Sequence, residues 1–530
     1  MKIVILCALC VAIFTGCSSK TPEPQQSFKV YNTHKHASDT LFYLASDDVA
    51  KYAPKTGFYP LAHPLDAFIA RMELIRRAEH TIDLQYFIFA EDDVSNFFVE
   101  EILRAAKRGV KVRILVDDLL FKYRDKKLAS FAQHPNIEIK LFNPTEYRNT
   151  LGWISMGFDL GKYGRRMHNK LFIVDNSALI LGGRNIENIY FGADPDDIFI
   201  DDDILAIGPL AAEASNLFET YWNFERSINI QDLYSGKLYS FEYVEKYNNQ
   251  KYALFIQSQY FKDLFNRPLY NDFQNDSIPL IYGKSHLFYD LPKKILDPVE
   301  DESTHLEKHF EDSYDHVSKS IYIINPYFVP NERAMRKIAE LRKNGIEIYV
   351  LTNSLATNDA ISVYSEYSKY HKELLKLGVH LYELNPHAMR YFFKKKRYYK
   401  NKLPRTRLHA KTMMIDDHYV IIGSANLDPR SSKLNTEAVA VIDSKKLTAI
   451  NEKVFEYFID HKNVYKLSLE KAQKKPCIAT CIPQYNEFDV VWRTTKDGKV
   501  LEYRNNDADA GFFRRLASNI LRYIPLGNNI

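Results

Sequence analysis

His168-Asn169-Lys170-Leu171-Phe172-Ile173-Val174-Asp175, followed by Gly182-Gly183-Arg184-Asn185, returns 241 residues later as His409-Ala410-Lys411-Thr412-Met413-Met414-Ile415-Asp416, followed by Gly423-Ser424-Ala425-Asn426. In each copy Lys stands two residues after His, Asp seven after and Asn seventeen after. Residues at i and i+2 of an extended strand share a face, so the spacing predicts an imidazole and an ammonium directed into one pocket. The apolar residues between them form the body of that strand. The glycine-rich turn lets backbone and the Asn amide approach a bound anion.

The flanking sequence repeats as well. Ile82-Asp83-Leu84-Gln85-Tyr86-Phe87-Ile88 is echoed by Ile323-Ile324-Asn325-Pro326-Tyr327-Phe328-Val329, with the Tyr-Phe pairs 241 residues apart. Arg108-Gly109-Val110-Lys111-Val112 is echoed by Asn344-Gly345-Ile346-Glu347-Ile348 at an offset of 236. Leu65, Phe68, Ile69, Met72 and Ile75 have helical spacing, Thr81 to Phe89 reads as a strand, and Val94, Phe97, Phe98, Ile102 and Leu103 mark a second helix. Gly109 stops that helix and Val110 to Val116 returns as a strand. Such alternation predicts an α/β fold with a largely buried sheet, present twice.

The chain has 530 residues, of which 46% are hydrophobic and 26% charged, enough to bury a large core. Lys plus Arg (71) against Asp plus Glu (67) leaves +4, too balanced for a protein that holds nucleic acid by global charge. An anion must therefore be met locally. Five cysteines exclude a disulfide scaffold. Lys2, the apolar run Ile3 to Phe14 and the sequence Phe14-Thr15-Gly16-Cys17 read as a secretory signal whose end is similar to a bacterial lipobox. On that reading residues 1–16 are removed, Cys17 is lipidated, and residues 17–55 form a tether; a buried helix or an uncleaved anchor is the alternative. Cys477 and Cys481 remain, as a disulfide or as two thiols. Beyond residue 17 no apolar run approaches the ~18 residues of a membrane span, so the expected state is anchored without spanning.

The chemistry follows from the residue types. A phosphodiester's anionic oxygens repel nucleophiles, so a site must neutralise them, present a nucleophile and protonate the leaving oxygen. Lys170, Lys411, Asn185 and Asn426 are the phosphate-binding candidates. One histidine attacks phosphorus and the other protonates the leaving group, then deprotonates the acceptor. The two lysines carry the positive charge, so no metal or other cofactor is expected.

The paired motifs resemble the HKD signature of the phospholipase D superfamily. The resemblance implies two α/β repeats packed as a pseudo-twofold unit around one shared central active site. It makes His168 the nucleophile and His409 the general acid and base, roles open to exchange. It also supplies each histidine with an acidic partner: Glu437 in the second repeat and, from the alignment of Asp203-Ile204-Leu205-Ala206 with that strand, Asp203 in the first, with Asp201 and Asp202 as neighbouring candidates. Asp175 and Asp416 complete the motif, as catalytic residues or as structural ion-pair partners.

His134-Pro135-Asn136, Arg166-Met167-His168, Gly182-Gly183-Arg184-Asn185-Ile186, Tyr190-Phe191-Gly192, Leu351-Thr352-Asn353-Ser354 and Leu427-Asp428-Pro429-Arg430-Ser431 resemble the C-type branch of bacterial cardiolipin synthases. Glu187-Asn188 stands where typical members have Gly-Asp. The resemblance implies transfer of a phosphatidyl group from phosphatidylglycerol or phosphatidylethanolamine to phosphatidylglycerol. A hydrolytic phospholipase D and a phosphodiesterase acting on nucleic acid are the alternatives.

The expected partners are phospholipids and an anionic membrane surface, not nucleic acid. From Arg390 to Arg407, nine of eighteen residues are Lys or Arg and none is acidic, interleaved with aromatics, a composition that suits an anionic bilayer first, with single-stranded nucleic acid or a solvated loop as the alternatives. Trp153, Ile154, Met156 and Phe158 form an aromatic loop that suits an acyl-chain entrance or ordinary core packing. Phe512, Phe513, Leu516, Ile520 and Leu521 with Arg514, Arg515 and Arg522 make an amphipathic pattern suited to a membrane interface or to docking on the domain. The predicted units are 56–240 and 291–465 for the two repeats, 241–290 between them and 466–530 as an extension. The expected location is a bacterial envelope, facing the periplasm, with Ser18 favouring the outer membrane.

Overall fold

The computed structural model describes residues 54–120, 124–145, 164–309, 316–388, 404–472 and 487–524. The leader, Cys17, the tether up to residue 53, the loop around Trp153, residues 390–403 of the basic stretch, Cys477 and Cys481 lie outside the described residues.

The first repeat supplies β1 (Thr56–Pro60), β2 (Thr81–Tyr86), β3 (Lys111–Asp117), β4 (Ile137–Phe142), β5 (Leu171–Val174), β6 (Ala178–Gly182), β7 (Asp197–Ile200), β8 (Asp203–Ile207) and β9 (Ser227–Asn229). The second follows with β10 (Ile281–Tyr289), β11 (Ser320–Ile324), β12 (Glu347–Asn353), β13 (His380–Leu384), β14 (Arg405–Leu408), β15 (Thr412–Ile415), β16 (Tyr419–Gly423), β17 (Ala438–Asp443), β18 (Val464–Lys471), β19 (Phe488–Lys496) and β20 (Lys499–Arg504). The first sheet runs β9-β4-β3-β2-β5-β6-β8-β1. The second runs β10-β17-β16-β15-β11-β12-β13-β18-β19-β20. Strand β1 also pairs with β10 and stitches the sheets together. In both, three parallel strands, β2-β3-β4 and β11-β12-β13, precede an antiparallel return through the motif strand.

The predicted βα rhythm is present. The helix Pro64–Arg77 buries Phe68, Ile69, Met72 and Ile75; Asp92 caps the helix Asp93–Lys107, whose end turns at Gly109 with φ 107°. Gly345 repeats that turn with φ 83°. Strand β2 stops at Tyr86 rather than continuing to Phe89.

The repeat register corrects one sequence correspondence. Thr81 O accepts from Asp175 N–H and Ser320 O from Asp416 N–H, while Phe89 bridges to Ile186 and Phe328 to Leu427. Phe89, not Phe87, is therefore the counterpart of Phe328. The two Tyr-Phe pairs are displaced by two residues: Tyr86 is buried on its strand against Arg71, whereas Tyr327 donates to Asp359.

One apolar core belongs to both repeats. Phe142, Met167, Leu181 and Trp222 pack in the same cluster as Leu351, Leu408, Met414 and Phe455. Fully burying such a side chain contributes about 1.5–3 kcal/mol, so the halves hold one another in a fixed relation. The segment between the repeats contributes too: in the helix Phe241–Ile256, Tyr252 stacks on Phe97 at 5.2 Å and Phe255 joins the first repeat's core.

Candidate active site

His168 and Lys170 lie in the extended lead into β5, and His409 and Lys411 in the lead into β15, rather than on the strands themselves. Each lead-in is clamped by the opposite repeat. Met167 bridges Thr436 in parallel, and His168 N–H donates to Thr436 O at 2.9 Å. Symmetrically, β14 pairs in parallel with β7, and His409 N–H donates to Ile200 O at 2.7 Å. The ends of β3 and β12 brace the same segments: Asp117 accepts from Met167 N–H and Asn353 from Leu408 N–H, both at 2.9 Å.

The crossing brings each imidazole to a carboxylate of the other repeat. His168 Nδ1 lies 3.0 and 2.9 Å from the two oxygens of Glu437, and His409 Nδ1 lies 2.6 Å from Oδ2 of Asp201. With Nδ1 turned to a carboxylate, Nε2 of His168 is left for the substrate side, whereas Nε2 of His409 also lies 3.3 Å from Lys411 Nζ. Glu437 also accepts from Ser424 Oγ at 2.5 Å and Ser431 Oγ at 2.8 Å. Its backbone N–H donates to Asp290, a buried carboxylate paired with Lys294.

Asp203, the sequence-predicted partner, is elsewhere: its carboxylate lies between Arg71 at 2.9 Å and Arg184 at 3.2 Å in a fully buried ion cluster. The reason is register. Gly182 opposes Asp203 in the first repeat and Gly423 opposes Val439 in the second, so Glu437 corresponds to Asp201. Asp202 meets Thr412 Oγ1 at 3.2 Å, and burial pushes it up to about 7.

The motif aspartates do not reach the site. Asp175 accepts the backbone N–H groups of Glu79, His80 and Thr81 at 2.7–2.9 Å, and Asp416 those of Ser318, Lys319 and Ser320 at 2.7–3.3 Å. They sit past the far ends of their strands, at positive φ of 51° and 53°, and fasten the loop that starts the neighbouring strand. Asn185 is also engaged within the protein: it accepts from Ile88 N–H and donates to Tyr190 Oη. Tyr190 packs edge-on against His409, with Phe199 on the same imidazole at 5.0 Å. Asn426 Oδ1 is buried with no hydrogen-bond partner among the described residues. Asn188, at the departure from the usual Gly-Asp, accepts from Val94 N–H beside the Asp92 cap.

Both lysines are buried and fold back on their own motif, Nζ donating to the carbonyl of His168 or His409 at 2.6 Å. Burial brings Lys170 down to about 7 and Lys411 to about 8; the nearby carboxylates oppose this, and for Lys170 repulsion from Lys411 reinforces it. Burial also lowers His168, to about 4, against the pull of Glu437, and lowers His409 against Asp201. The carboxylates are lowered too: burial opposes their charge, but His409 holds Asp201, and His168 holds Glu437, below the usual range. The result is a buried pocket whose lysines and histidines are held back from full charge, so that a bound anion would restore it. Behind Phe199 the repeat boundary holds an apolar cavity of about 380 Å³, lined by Pro64, Ile198, Ile200, Val454 and Phe458 among others. No cluster suited to a metal ion occurs among the described residues.

The chain, a duplicated α/β unit whose halves exchange the acids that orient each other's histidines, is an enzyme of the phospholipase D superfamily. Residues 72–222 and 314–459 match the family described as cardiolipin synthase, PLD-like domain, and the protein belongs to it. It is 36% identical to cardiolipin synthase C of Escherichia coli K12 over 77% of this chain and 85% of that one. An uncharacterized protein of Helicobacter pylori J99 is 33% identical over 99% of both chains. Among solved structures, the phosphatidylserine synthase of Haemophilus influenzae Rd KW20 shares the fold, with a TM-score of 0.53 at 14% identity, over 80% of this chain and 92% of that one.

Proposed function

We propose that the protein is a cardiolipin synthase-type phosphatidyltransferase that works through a covalent phosphatidyl-histidine. The observation that carries this reading is the exchange of acids between repeats, which puts two oriented imidazoles and two buried lysines into one pocket. The lysines and the substrate phosphate neutralise one another. His168 Nε2, neutral at physiological pH, attacks phosphorus; the bond from phosphorus to the headgroup oxygen breaks, and His409, which takes up a proton as the phosphate anion enters beside it, donates that proton from Nε2 to the leaving oxygen. A free hydroxyl of phosphatidylglycerol then gives its proton to His409 and attacks phosphorus, and the phosphorus–nitrogen bond breaks to regenerate His168. Asp201 and Glu437 hold the tautomers and stabilise each imidazolium as it forms.

The lipid assignment is supported by the cardiolipin synthase relatives and by the apolar cavity against Phe199, which suits a hydrocarbon chain beside His409. Phosphatidylglycerol or phosphatidylethanolamine is the donor, and a lipid anchor at Cys17 would hold the enzyme at the envelope membrane. No helix among the described residues is long and apolar enough to cross a membrane.

The test is product analysis with labelled phosphatidylglycerol, with and without phosphatidylethanolamine. Cardiolipin is expected, with a labelled protein adduct trapped by acid quench and lost in His168→Ala. Phosphatidic acid as the sole product would overturn transfer in favour of hydrolysis. Full activity in both His168→Ala and His409→Ala would overturn the mechanism.

A further inference from the structure

The helix Phe512–Leu521 is docked by its polar side and bare on its apolar side. Ser518 is its one buried residue, and Ser518 Oγ lies 3.1 Å from Ser365 Oγ of the helix Ile361–Tyr367. Arg514 donates to Leu355 O and Asn358 O, Arg522 to Ser368 Oγ, and Arg515 to Asn506. At about 100° per residue, Phe512, Phe513, Leu516 and Ile520 fall within one stripe covering about a third of the circumference, opposite Ser518. That stripe faces outward: Phe513 is 80% exposed and Phe512 69%, and Tyr523, just past the helix end, is 88% exposed.

The position of the stripe says what covers it. Arg514 holds the loop after β12, in which Asp359 accepts from Tyr327 Oη at 2.6 Å. That loop begins beside Asn353, whose side chain fixes the residue before His409. Burial, then repulsion from Arg407 and Arg405, lowers the Arg514 guanidinium against the pull of Asp359, so three arginines share this side of the molecule with the stripe, two of them paired with Asp197. Arg515 and Arg522 lie along one side of it. Exposed aromatic and aliphatic side chains bordered by arginines, on a helix tied to the loop next to the strand end that braces the His409 segment, match the depth profile of an anionic bilayer: apolar below, phosphate at the rim.

We propose that this helix is an interfacial docking element that seats the catalytic face on an anionic lipid surface. The inference rests on the phospholipid reading of the site, and its test separates the two.

The mature chain from Ser18 to Ile530, so that neither the apolar leader nor an acyl anchor contributes, is mixed with vesicles of phosphatidylcholine with or without phosphatidylglycerol. Sedimentation is expected to depend on phosphatidylglycerol and to weaken at least tenfold in the triple variant Phe512→Ser, Phe513→Ser, Leu516→Ser. Leucine at the same three positions should retain binding. Phe513→Trp should show a blue-shifted emission on the charged vesicles only. The serine variant should lose turnover on vesicles and keep it on short-chain phosphatidylglycerol in detergent micelles.

Equal vesicle binding by the serine variant would overturn the docking element. A dimer by light scattering that dissociates in that variant would assign the stripe to a second copy instead. Absence of turnover by the parent protein on both substrates, with vesicle binding intact, would sink the functional reading alone.

Discussion

The Nδ1 atom of His409 lies 2.6 Å from Oδ2 of Asp201, a carboxylate from the opposite repeat. Asp203, two residues on, bonds instead to two buried guanidiniums. The neighbouring acids therefore carry separable roles. Asp201→Asn keeps the shape but removes the charge that supports the His409 imidazolium, so kcat should fall at least ~100-fold with little change in the thermal midpoint. Asp203→Asn leaves Arg71 and Arg184 without their counterion and should cost about 3–5 kcal/mol in urea unfolding. If Asp203→Asn proves stable and inactive while Asp201→Asn stays active, the assignment is reversed.

Gly183 has a reason to be glycine that its counterpart Ser424 lacks. A Cβ at Gly183 would lie 2.1 Å from Oδ1 of Asp201, inside any van der Waals contact. Gly183→Ala should displace that carboxylate and lower kcat by about tenfold or more, approaching the Asp201→Asn effect. Ser424→Gly removes one hydroxyl from Glu437, which keeps His168 and Ser431, and takes the acceptor from the buried Ala438 N–H, so it should cost about 1–3 kcal/mol of stability. A Gly183→Ala enzyme with unchanged kcat would count against Asp201 as the positioning acid.

The buried lysines make activity and stability oppose one another. Lys170 releases its proton at about 7 in the folded protein, against 10.5 for an ordinary lysine. Between those values the unfolded chain binds more protons, so stability rises with pH through that window and the penalty is complete below it. Lys170→Met should therefore abolish transfer yet raise unfolding free energy at pH 7 by at least about 1 kcal/mol. Thermal melts from pH 7 to pH 10 should show the advantage shrinking as pH rises. A variant less stable than the parent at pH 7 would contradict the cost assigned to this cation.

Asp416 tests whether the last motif position is chemical or structural. Its carboxylate accepts three backbone N–H groups and the Ser318 hydroxyl at the end of β15 remote from His409. Asp416→Ala should lose about 1–2 kcal/mol of stability while kcat/KM per folded molecule changes less than about twofold. A large kcat defect in well-folded protein would return it to the catalytic set.

The local features of this protein are written in its sequence. The 3.6-residue spacing from Leu65 to Ile75 and the apolar run Leu171 to Val174 are short-range patterns that propensity and burial dictate without reference to the rest of the chain. His168 and Lys170, like His409 and Lys411, were recognisable because two residues of extended chain are enough to set their common direction. What the sequence could not rank was the trio Asp201, Asp202, Asp203, each next to the other and chemically alike. Tertiary structure chose among them: sheet register sends Asp203 to the arginines, and domain crossing brings Asp201 to a histidine 208 residues away and Glu437 to one 269 away. The Tyr-Phe pairs failed as repeat markers for the same reason, since β2 and β11 align two residues away from their letter match. A motif's spacing is fixed by covalent geometry, but the partner that sets its protonation state comes from wherever packing of the two halves excludes water, and only the folded pair determines that.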